Sequence, residues 1–383
     1  MKKISNILVI TPDYPIEGEP AFTFVKNLCD EFVRQGRKVT IVSPQSKISI
    51  LRHHKVKRPF ERFDNIDGKR VAIYQPNCIS VPSRFYKLNN YLNRRSICHF
   101  LKRHQIDADV CYCHFWKSGY MVLPYVKQHR IPLFVATGEG GLQNLANALQ
   151  GPEYRELNKY INGAISVSSN NRNISQEIGL LEGKDCLVAP NAIDSRLFHK
   201  KDRVALRQQY GFNQDDFIVA FVGAFNHRKG SQRLSSAIDK VGGVKSFFIG
   251  GQGESELLEP NSEGILFKGR LPHEAIPDYL NMADIYVLPT LNEGCCNAVV
   301  EALACGLPVV SSNRPFNFDV LNEGNSIMVD PLNVDEIADA IRELKENETK
   351  RRELAQGALK MAEELTIDHR AERILSFMEQ HIK

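Results

Sequence analysis

Short apolar runs alternate with helical patterns along the chain, and this alternation limits the possible fold more than any other feature. An apolar run over 7–11 is followed by a helical pattern over 22–35 and then by a second apolar run over 38–44. Gly36 stands where the C-cap of that helix is expected. Parallel strands joined by crossover helices produce this order. Further strands are predicted at RVAIYQ (70–75), DVCYCHF (109–115), PLFVAT (132–137), GAISVS (163–168) and CLVAP (186–190).

A second series of the same kind follows the loop over 191–202. Its strands are predicted at DFIVAFVGA (216–224), KSFFIGG (245–251), ILFKG (265–269), DIYVLPT (284–290), LPVVSS (307–312) and SIMVD (326–330). Helices are predicted at HEAIPDYLNMA (273–283), NAVVEALACG (297–306), NVDEIADAIRELKEN (333–347) and over the end of the chain. We therefore predict an α/β protein with two doubly wound domains, 1–190 and 191–365. Because ligands bind beyond the carboxyl ends of the strands in such folds, a cleft between the domains is the expected site.

The composition is that of an ordinary globular protein, with 43% apolar and 25% charged residues. No apolar run approaches the ~18 residues that a membrane-spanning helix needs. The first residues, MKKISNILVITPDYP, begin with charge, but their apolar part is short and no cleavage site of small residues follows. Cysteine is present nine times, an odd number, and mostly in apolar runs, which favours a reduced compartment. We therefore expect the protein in the cytoplasm.

Positive charge is concentrated in the first half of the chain. Residues 1–190 carry 27 Lys and Arg against 16 Asp and Glu, a net +11, whereas the remainder carries 22 against 29, a net −7. Residues 47–104 hold 14 basic and 3 acidic side chains. A solvated basic face explains this pattern, and so does a surface for an acidic acceptor or for anionic lipid, where each basic group contributes ~1 kcal/mol. Peripheral contact with the inner face of a membrane thus stays open, whereas nucleic acid is not expected because no nucleic-acid-binding signature is present.

The residues that indicate a specific binding chemistry lie in one segment, 284–310, with the sequence DIYVLPTLNEGCCNAVVEALACGLPVV. A buried strand is predicted to end at Pro289, and a helix is predicted to begin near Cys296 or Asn297. Unpaired backbone N–H groups at a helix start, together with the positive end of its dipole, bind anions, and a diphosphate is the obvious candidate. Glu293 precedes the helix, and Glu301 lies inside it among apolar neighbours. A buried carboxylate needs partners, which either ribose hydroxyls or neighbouring backbone would supply.

This segment resembles the signature of retaining glycosyltransferase family 4, whose members have the GT-B fold of two Rossmann-like domains. The resemblance rests on Glu293, seven intervening residues and Glu301, and it continues through ACGLPVV (304–310). Other matching parts are PNAIDSRLF (190–198), VGAFNHRKG (222–230), IGGQGE (249–254) and FKGRLPHEAIPDYLNMADIYVLPT (267–290). The resemblance covers essentially the whole chain and is strongest over 216–330. It implies a final helix, 366–383, that crosses back to the first domain.

The resemblance also implies a donor site for a nucleoside-diphosphate sugar in the second domain. Lys229 would bind the diphosphate, Glu293 would hydrogen-bond a sugar hydroxyl, and Glu301 would hold the ribose. A Lys and a helix start at the phosphate also stabilise the charge that develops on the leaving diphosphate, and a carboxylate orients the sugar. The donor-binding set is completed by Gly223, by Gly294, Cys296, Asn297 and Ala298 around the helix start, and by Gly269, Arg270 and Leu271 at the base.

Several positions depart from the family pattern. Ala224 stands where the family usually has an Arg that joins Lys229 on the diphosphate, and Arg228 and Arg233 are the candidate substitutes. Glu139 lies at or near the position of a family His that reaches the donor sugar. We assign Glu139 as a catalytic candidate that accepts a sugar hydroxyl or stabilises positive charge, with acceptor binding as the alternative.

Ala21 and His114 are expected on the acceptor side, although a structural hydrogen bond to backbone explains His114 equally well. No metal or other cofactor is expected, because GT-B enzymes generally use a Lys and a helix start in place of a divalent cation. Asp107 and Asp109 form a lone Asp-x-Asp that more simply caps a strand. The sequence CYCH (111–114) lacks a second ligand cluster and is interpreted as buried thiols.

The predicted function is retaining transfer of a sugar from a nucleoside-diphosphate sugar, with UDP as the expected nucleotide. The expected acceptor is a saccharide or a lipid-linked precursor in cell-envelope polysaccharide biosynthesis. The predicted catalytic residues are Glu293, Lys229 and Glu139. A non-catalytic sugar-nucleotide-binding subunit, a sugar-nucleotide epimerase and an inverting transferase on the same fold are the alternatives. Since no residue is a convincing nucleophile, front-face attack is favoured over double displacement.

Overall fold

The chain divides into two compact units, Met1–Ala189 with Arg370–Lys383, and Pro190–His369. The computed structural model describes residues 3–16, 22–46, 57–78, 85–139, 142, 151–252 and 258–382. The sequence places the corresponding boundaries at 190 and 365. Each unit is an α/β structure around its own sheet, as predicted. Among the described residues, no helix combines the length and the hydropathy that a membrane crossing requires.

The first unit is built on an eight-stranded sheet in the order β10-β9-β8-β7-β1-β2-β5-β4, and β3 and β6 pair separately. Its strands are β1 (Asn6–Ile10), β2 (Lys38–Val42), β3 (Gln45–Ser46), β4 (Glu61–Ile66), β5 (Lys69–Tyr74), β6 (Asn77–Cys78), β7 (Val110–His114), β8 (Leu133–Thr137), β9 (Gly163–Ser166) and β10 (Cys186–Val188). The central strands β7 and β8 are buried along their whole length, as expected for parallel strands covered by helices on both faces. The order of the strands reverses between β1 and β7, so the carboxyl ends of these two strands form the switch point of the sheet.

The helices of the first unit connect these strands. Those within the described residues are α1 (Thr23–Arg34), α2 (Tyr86–Arg103), α3 (Trp116–His129), α4 (Pro152–Tyr160) and α5 (Ser169–Glu177). Gly36 follows α1 with a φ of +86°, which is the left-handed conformation expected just after a helix. Asp109 accepts hydrogen bonds from the backbone N–H groups of Ser5 (2.8 Å) and Asn6 (2.9 Å), so this carboxylate caps the start of β1.

The hairpin of β4 and β5 is a feature that the apolar pattern does not reveal. Strand β4 pairs antiparallel with β5 at the edge of the sheet, and its residues alternate between exposed and half-buried. Because one face is solvated, its sequence ERFDNI contains no apolar run. The signal lies in the turn instead: Asp67 and Gly68 have φ values of +50° and +83°, and Asp-Gly is a preferred pair for a two-residue hairpin.

The second unit is built on a six-stranded parallel sheet in the order β13-β12-β11-β14-β15-β16. Its strands are β11 (Ile218–Ala224), β12 (Lys245–Gly251), β13 (Ile265–Gly269), β14 (Ile285–Leu288), β15 (Val309–Ser312) and β16 (Ser326–Val329). Its helices are α6 (Arg203–Tyr210), α7 (Ser231–Val241), α8 (Ile276–Met282), α9 (Asn297–Ala304), α10 (Val334–Glu346) and α11 (Glu348–Glu364). Counted from β11, this is the 3-2-1-4-5-6 order of dinucleotide-binding domains, and its switch point lies between β11 and β14.

A buried ion pair holds helix α6 against this sheet. Arg207 is fully buried, and its guanidinium donates to Asp284 (2.9 Å) and to the carbonyl of Met282 (2.8 Å). The carboxylate of Asp284 also accepts from the backbone N–H of Ile218 at 2.8 Å and contacts Arg203. Since a buried charge is tolerated only with full pairing, this network fixes the amino ends of β11 and β14.

The last helix, α12 (Ile367–His381), contributes its residues from Arg370 onward to the first unit. Glu379 accepts a hydrogen bond from the backbone N–H of Ile4 at 3.0 Å and pairs with Arg37 at 3.2 Å. The side-chain amide of Asn162 donates to the carbonyl of His381 at 2.9 Å. The Glu379 contacts place the end of α12 against the start of β1, and the Asn162 contact places it beside β9.

Candidate active site

Two loops of the second unit leave the switch point of its sheet, one after β11 and one after β14. Near the end of strand β11, Gly223 pairs with Gly250 of β12, and an added Cβ on Gly250 would lie 1.9 Å from the carbonyl oxygen of Gly223. Gly230 has a φ of +79°, and a Cβ there would lie 2.7 Å from the carbonyl oxygen of Pro289. Only glycine fits this approach, which brings Lys229 next to the loop that follows β14.

The carboxylate of Glu293 is the centre of a charged cluster formed by these loops. Its Oε1 atom lies 2.7 Å from Lys229 Nζ and 2.7 Å from Arg228 Nη1. The hydroxyl of Thr290 donates to the same oxygen at 2.8 Å. Lys229 Nζ also lies 3.6 Å from the sulfur of Cys296. The structure therefore brings together three residues that the resemblance assigns to the donor site.

The environment of Lys229 keeps its amine protonated. Burial lowers the pKa of this ammonium group, but the neighbouring Cys296 and Glu293 raise it by more, so the net shift is upward. Burial raises the pKa of the Cys296 thiol, although Lys229 and the N–H groups at the start of α9 act to lower that pKa. A lysine held in this way is a fixed positive charge that can exchange the carboxylate for a phosphate.

The structure distinguishes between the two candidate substitutes for the arginine that Ala224 replaces. Arg233 donates to the backbone carbonyls of Pro331 (2.7 Å), His227 (2.8 Å) and Pro289 (2.8 Å), so its guanidinium supports the loops. Arg228, in contrast, is half-exposed at 47% and belongs to the Glu293 cluster. Of the two, Arg228 is the one placed to meet an anion.

Helix α9 begins at Asn297, directly beside the Glu293 cluster. Cys296 is its N-cap residue, and no side-chain hydrogen bond caps the helix among the described residues. Asn191 fixes the approach to the helix, because its side-chain amide donates to the carbonyl of Cys295 at 3.0 Å and to Asn297 Oδ1 at 2.7 Å. Gly294 is buried in the preceding loop, and Ala298 lies in the first turn. Helix α9 thus begins where the sequence predicts, and anion binding at its start stays a prediction.

Glu301 lies one turn further along α9, where its carboxylate meets a residue that the sequence did not single out. His273 Nε2 lies 3.3 Å from Glu301 Oε1. The hydrogen bond with Glu301 raises the pKa of His273, against the opposing effect of burial. Glu301 is therefore not paired with neighbouring backbone among the described contacts. The only sequence signal for His273 was its place at the start of the segment over 273–283.

The residues predicted to face the base follow β13. Gly269 ends that strand with a φ of +152°, and Arg270 donates to the carbonyl of Gln252 at 2.7 Å. Leu271 is half-buried and leads into the 3-10 turn His273–Ala275. This segment therefore runs from the end of β13 to the residue that contacts Glu301.

The predicted acceptor-side residues lie on the first unit, at the carboxyl ends of β7 and β8. Glu139 Oε2 accepts from the Thr137 hydroxyl and from the backbone N–H of Gly138, both at 2.9 Å. Burial raises the pKa of Glu139, opposed by these hydrogen bonds. His114 is buried, and within the described residues neither ring nitrogen has a hydrogen-bond partner. The alternative of a backbone hydrogen bond for His114 is therefore not observed within the described residues. Ala21 lies outside the described residues.

The thiols over 111–113 are buried on β7, as interpreted from the sequence, with their sulfur atoms 3.7 Å apart. Across the described residues, no group of three or more His, Cys, Asp or Glu side chains is arranged to hold a metal ion.

Comparison with known proteins identifies the class. Residues 202–361 match the family described as Glycosyl transferases group 1. The chain is 24% identical over 347 residues to the teichuronic acid biosynthesis glycosyltransferase TuaC of Bacillus subtilis strain 168, covering 88% of each chain. Among solved structures, it resembles sucrose-phosphate synthase from Thermosynechococcus elongatus with a TM-score of 0.79, 16% identity and 98% coverage of both chains. It also resembles Anabaena HepE in complex with UDP, with a TM-score of 0.75, 16% identity and coverage of 98% of this chain and 100% of that one.

The strand order defines the second unit as an α/β domain of the doubly wound type, and Lys229, Glu293 and the start of α9 lie at its switch point. More specifically, residues 202–361 match the group 1 glycosyl transferases, and the chain is a glycosyltransferase with the GT-B fold, as the resemblance implied. Membership of family 4 stays a prediction.

Proposed function

We propose that this enzyme transfers a sugar from a UDP-sugar to a saccharide or lipid-linked acceptor with retention of anomeric configuration, in cell-envelope polysaccharide biosynthesis. The observation that carries the proposal is the convergence of Lys229 and Arg228 on Glu293 at the start of α9. A diphosphate brings the negative charge that two cations and a helix start stabilise, so these groups suit a leaving nucleoside diphosphate.

The pairing of Lys229 with Glu293 suggests how donor binding proceeds. Lys229 exchanges its bond to Glu293 for one to a phosphate oxygen when the diphosphate binds. Glu293 is then released to accept a hydrogen bond from the donor sugar, which orients the anomeric carbon for attack. The exchange keeps Lys229 paired throughout, so neither charge is left buried alone.

Retention follows, in this proposal, from attack on the same face that the diphosphate leaves. A double displacement would need a carboxylate nucleophile beside the anomeric carbon. Glu293 is committed to cations in the free enzyme, and Glu139 is turned onto Thr137 and Gly138. We assign Glu139 to the acceptor side or to stabilisation of positive charge, and we propose that no metal ion takes part.

The proposed nucleotide and pathway take support from the compared proteins. HepE, which shares the fold, has been solved with UDP and with UDP-glucose. TuaC, which aligns over 88% of the chain, is named for teichuronic acid biosynthesis.

A nucleotide panel tests the proposal. Melting temperature is measured with UDP, GDP, ADP and their glucose conjugates, since a ligand stabilises according to its concentration relative to Kd. UDP or UDP-glucose should raise the melting temperature most. In a transfer assay, Glu293→Ala should abolish sugar transfer, whether or not a chelator is present. Glu259→Ala is the matched control, because Glu259 pairs with Lys268 on the surface of the same unit. Transfer that survives in Glu293→Ala would contradict the proposal, and binding without any turnover would favour the non-catalytic subunit.

The stereochemistry of the product separates the remaining alternatives. NMR of a transferred sugar distinguishes retention from inversion by the anomeric coupling. Conversion of the nucleotide sugar without an acceptor would instead identify an epimerase.

We further propose that the basic part of the first unit contacts an anionic membrane. Helix α2 contains five Lys and Arg and no Asp or Glu. One exposed stretch begins with Phe85, Leu88 and Tyr91 and continues with Arg95 and Lys102. Apolar groups that insert and cations that attract lipid headgroups are the usual combination for interfacial binding.

Co-sedimentation with vesicles tests this contact. Vesicles with about 30% phosphatidylglycerol should retain the protein at low salt, at which each basic group contributes ~1 kcal/mol. A variant with Arg95→Glu and Lys102→Glu should remain in the supernatant. Equal binding to neutral phosphatidylcholine vesicles would overturn the electrostatic basis.

A further inference from the structure

His273 contacts the glutamate that is proposed to hold the ribose. Its Nε2 atom lies 3.3 Å from Glu301 Oε1, and the side chains of His273 and Glu301 are 33% and 14% exposed. The His273 ring also packs edge-on against Phe198, with 5.1 Å between ring centroids. Pro272 precedes the 3-10 turn that carries His273, which restricts the backbone there. The imidazole is therefore held in place by contacts other than the one to Glu301.

Only one of the two carboxylate oxygens of Glu301 is occupied by this contact. Within the part of the chain that the structure describes, Oε1 is bonded to His273 and no hydrogen-bond partner is recorded for Oε2. The last torsion of a glutamate side chain is broad, so an unbraced carboxylate samples many orientations. A hydrogen bond to one oxygen fixes the plane of the group and thereby the direction of the other oxygen.

The chemistry of the pair requires a donor at position 273. A carboxylate has only acceptor oxygens, so the imidazole nitrogen that faces it must carry the proton. Both the neutral tautomer with Nε2–H and the imidazolium ion meet this requirement. Glu274 adds negative charge on the same turn and, with Glu301, favours the imidazolium ion.

We propose that His273 is a positioning residue for ribose recognition. It holds Oε1 of Glu301, so that Oε2 is aimed at the vicinal hydroxyls of a nucleoside diphosphate. The inference rests on the proposed donor site and assigns a role to a residue that does not itself contact the sugar or the phosphates. Its consequence is that His273 affects the affinity for ribonucleotides specifically, through their hydroxyl groups.

A purely structural role predicts a different result. If His273 merely tied its turn to α9, its loss would loosen the whole base-binding segment. Affinity would then fall equally for nucleotides with and without ribose hydroxyls. A ligand that lacks both hydroxyls therefore separates the two roles.

The experiment is calorimetric titration of His273→Ala and His273→Gln with UDP and with 2′,3′-dideoxy-UDP. His273→Ala should weaken UDP binding by about five- to tenfold, within the net range for an ordinary hydrogen bond, and should change dideoxy-UDP binding by less than about twofold. His273→Gln keeps an N–H donor at a similar reach and should restore UDP binding to within about twofold of the wild type. His199→Ala, an exposed histidine of the same unit, should leave both affinities unchanged.

A second measurement couples the two residues. In a Glu301→Ala background, His273→Ala should cause no further loss of UDP affinity, because the carboxylate that it positions is gone. The inference would be overturned if His273→Ala weakened the binding of UDP and dideoxy-UDP equally. It would also be overturned if His273→Ala kept its full effect on UDP affinity in the Glu301→Ala background. Either result would leave the donor site intact. If the wild type bound none of UDP, GDP and ADP, the proposed donor site would itself fail, and the inference with it.

Discussion

Replacing Glu293 by Gln removes one negative charge from a cluster with two cations. Lys229 and Glu293 are each only 12% exposed, and their charged atoms lie 2.7 Å apart. Loss of one partner from a buried pair costs about 3–5 kcal/mol. Because Arg228 is 47% exposed and solvent screens part of the charge, we expect about 2–3 kcal/mol here. For a unit of this size, that corresponds to a fall in Tm of about 4–12 °C.

The same reasoning predicts that UDP restores much of this stability. A diphosphate supplies the negative charge that Glu293→Gln removes, so the rise in Tm on adding saturating UDP should be larger in the variant than in the wild type. Sugar transfer should nevertheless fall, because the amide no longer accepts a strong hydrogen bond from the sugar. Differential scanning fluorimetry with and without UDP measures the stability effects. An unchanged Tm together with an equal or smaller rise on adding UDP would refute the idea that Glu293 and phosphate compete for Lys229.

Three further predictions concern the framework around the sites. Burial, with the charge of Arg370, lowers the pKa of His114 from 6.5 to about 3, so the unfolded chain binds a proton below pH 6.5 that the folded chain does not. Stability should therefore fall by about 2 kcal/mol between pH 7 and pH 5, and thermal melts of His114→Phe should lack this component. Arg207→Ala should destabilise the second unit by about 3–5 kcal/mol, whereas Arg203→Ala should cost less in the same melts, since Arg203 is half-exposed. Gly250→Ala places a Cβ 1.9 Å from a backbone oxygen of the neighbouring strand. We therefore expect fluorimetry to show a lower Tm and weaker UDP binding. Wild-type values for both would contradict the close approach of the two strands.

The sequence was sufficient wherever a local pattern determines local structure. Strands β12 and β13 were predicted with their observed bounds, because each has three consecutive apolar residues and ends at a glycine. The helix start after Cys296 was predicted from a strand, a glycine-containing loop and a helical pattern in succession. The solvated hairpin strand β4 was missed, because an exposed edge strand carries no apolar run.

The sequence by itself also determined which functional groups are available for the proposed donor site, namely those of Lys229, Glu293 and Glu301. The tertiary structure alone decided which of these groups touch. It paired Glu293 with Lys229, which lies in a loop 64 positions earlier. It added Arg228 to that pair, whereas Arg233 binds backbone carbonyls. It also brought His273 to Glu301, 28 positions away in the chain. Such contacts depend on where the ends of parallel strands meet at the switch point, and strand order is a property of the folded sheet that no local pattern encodes.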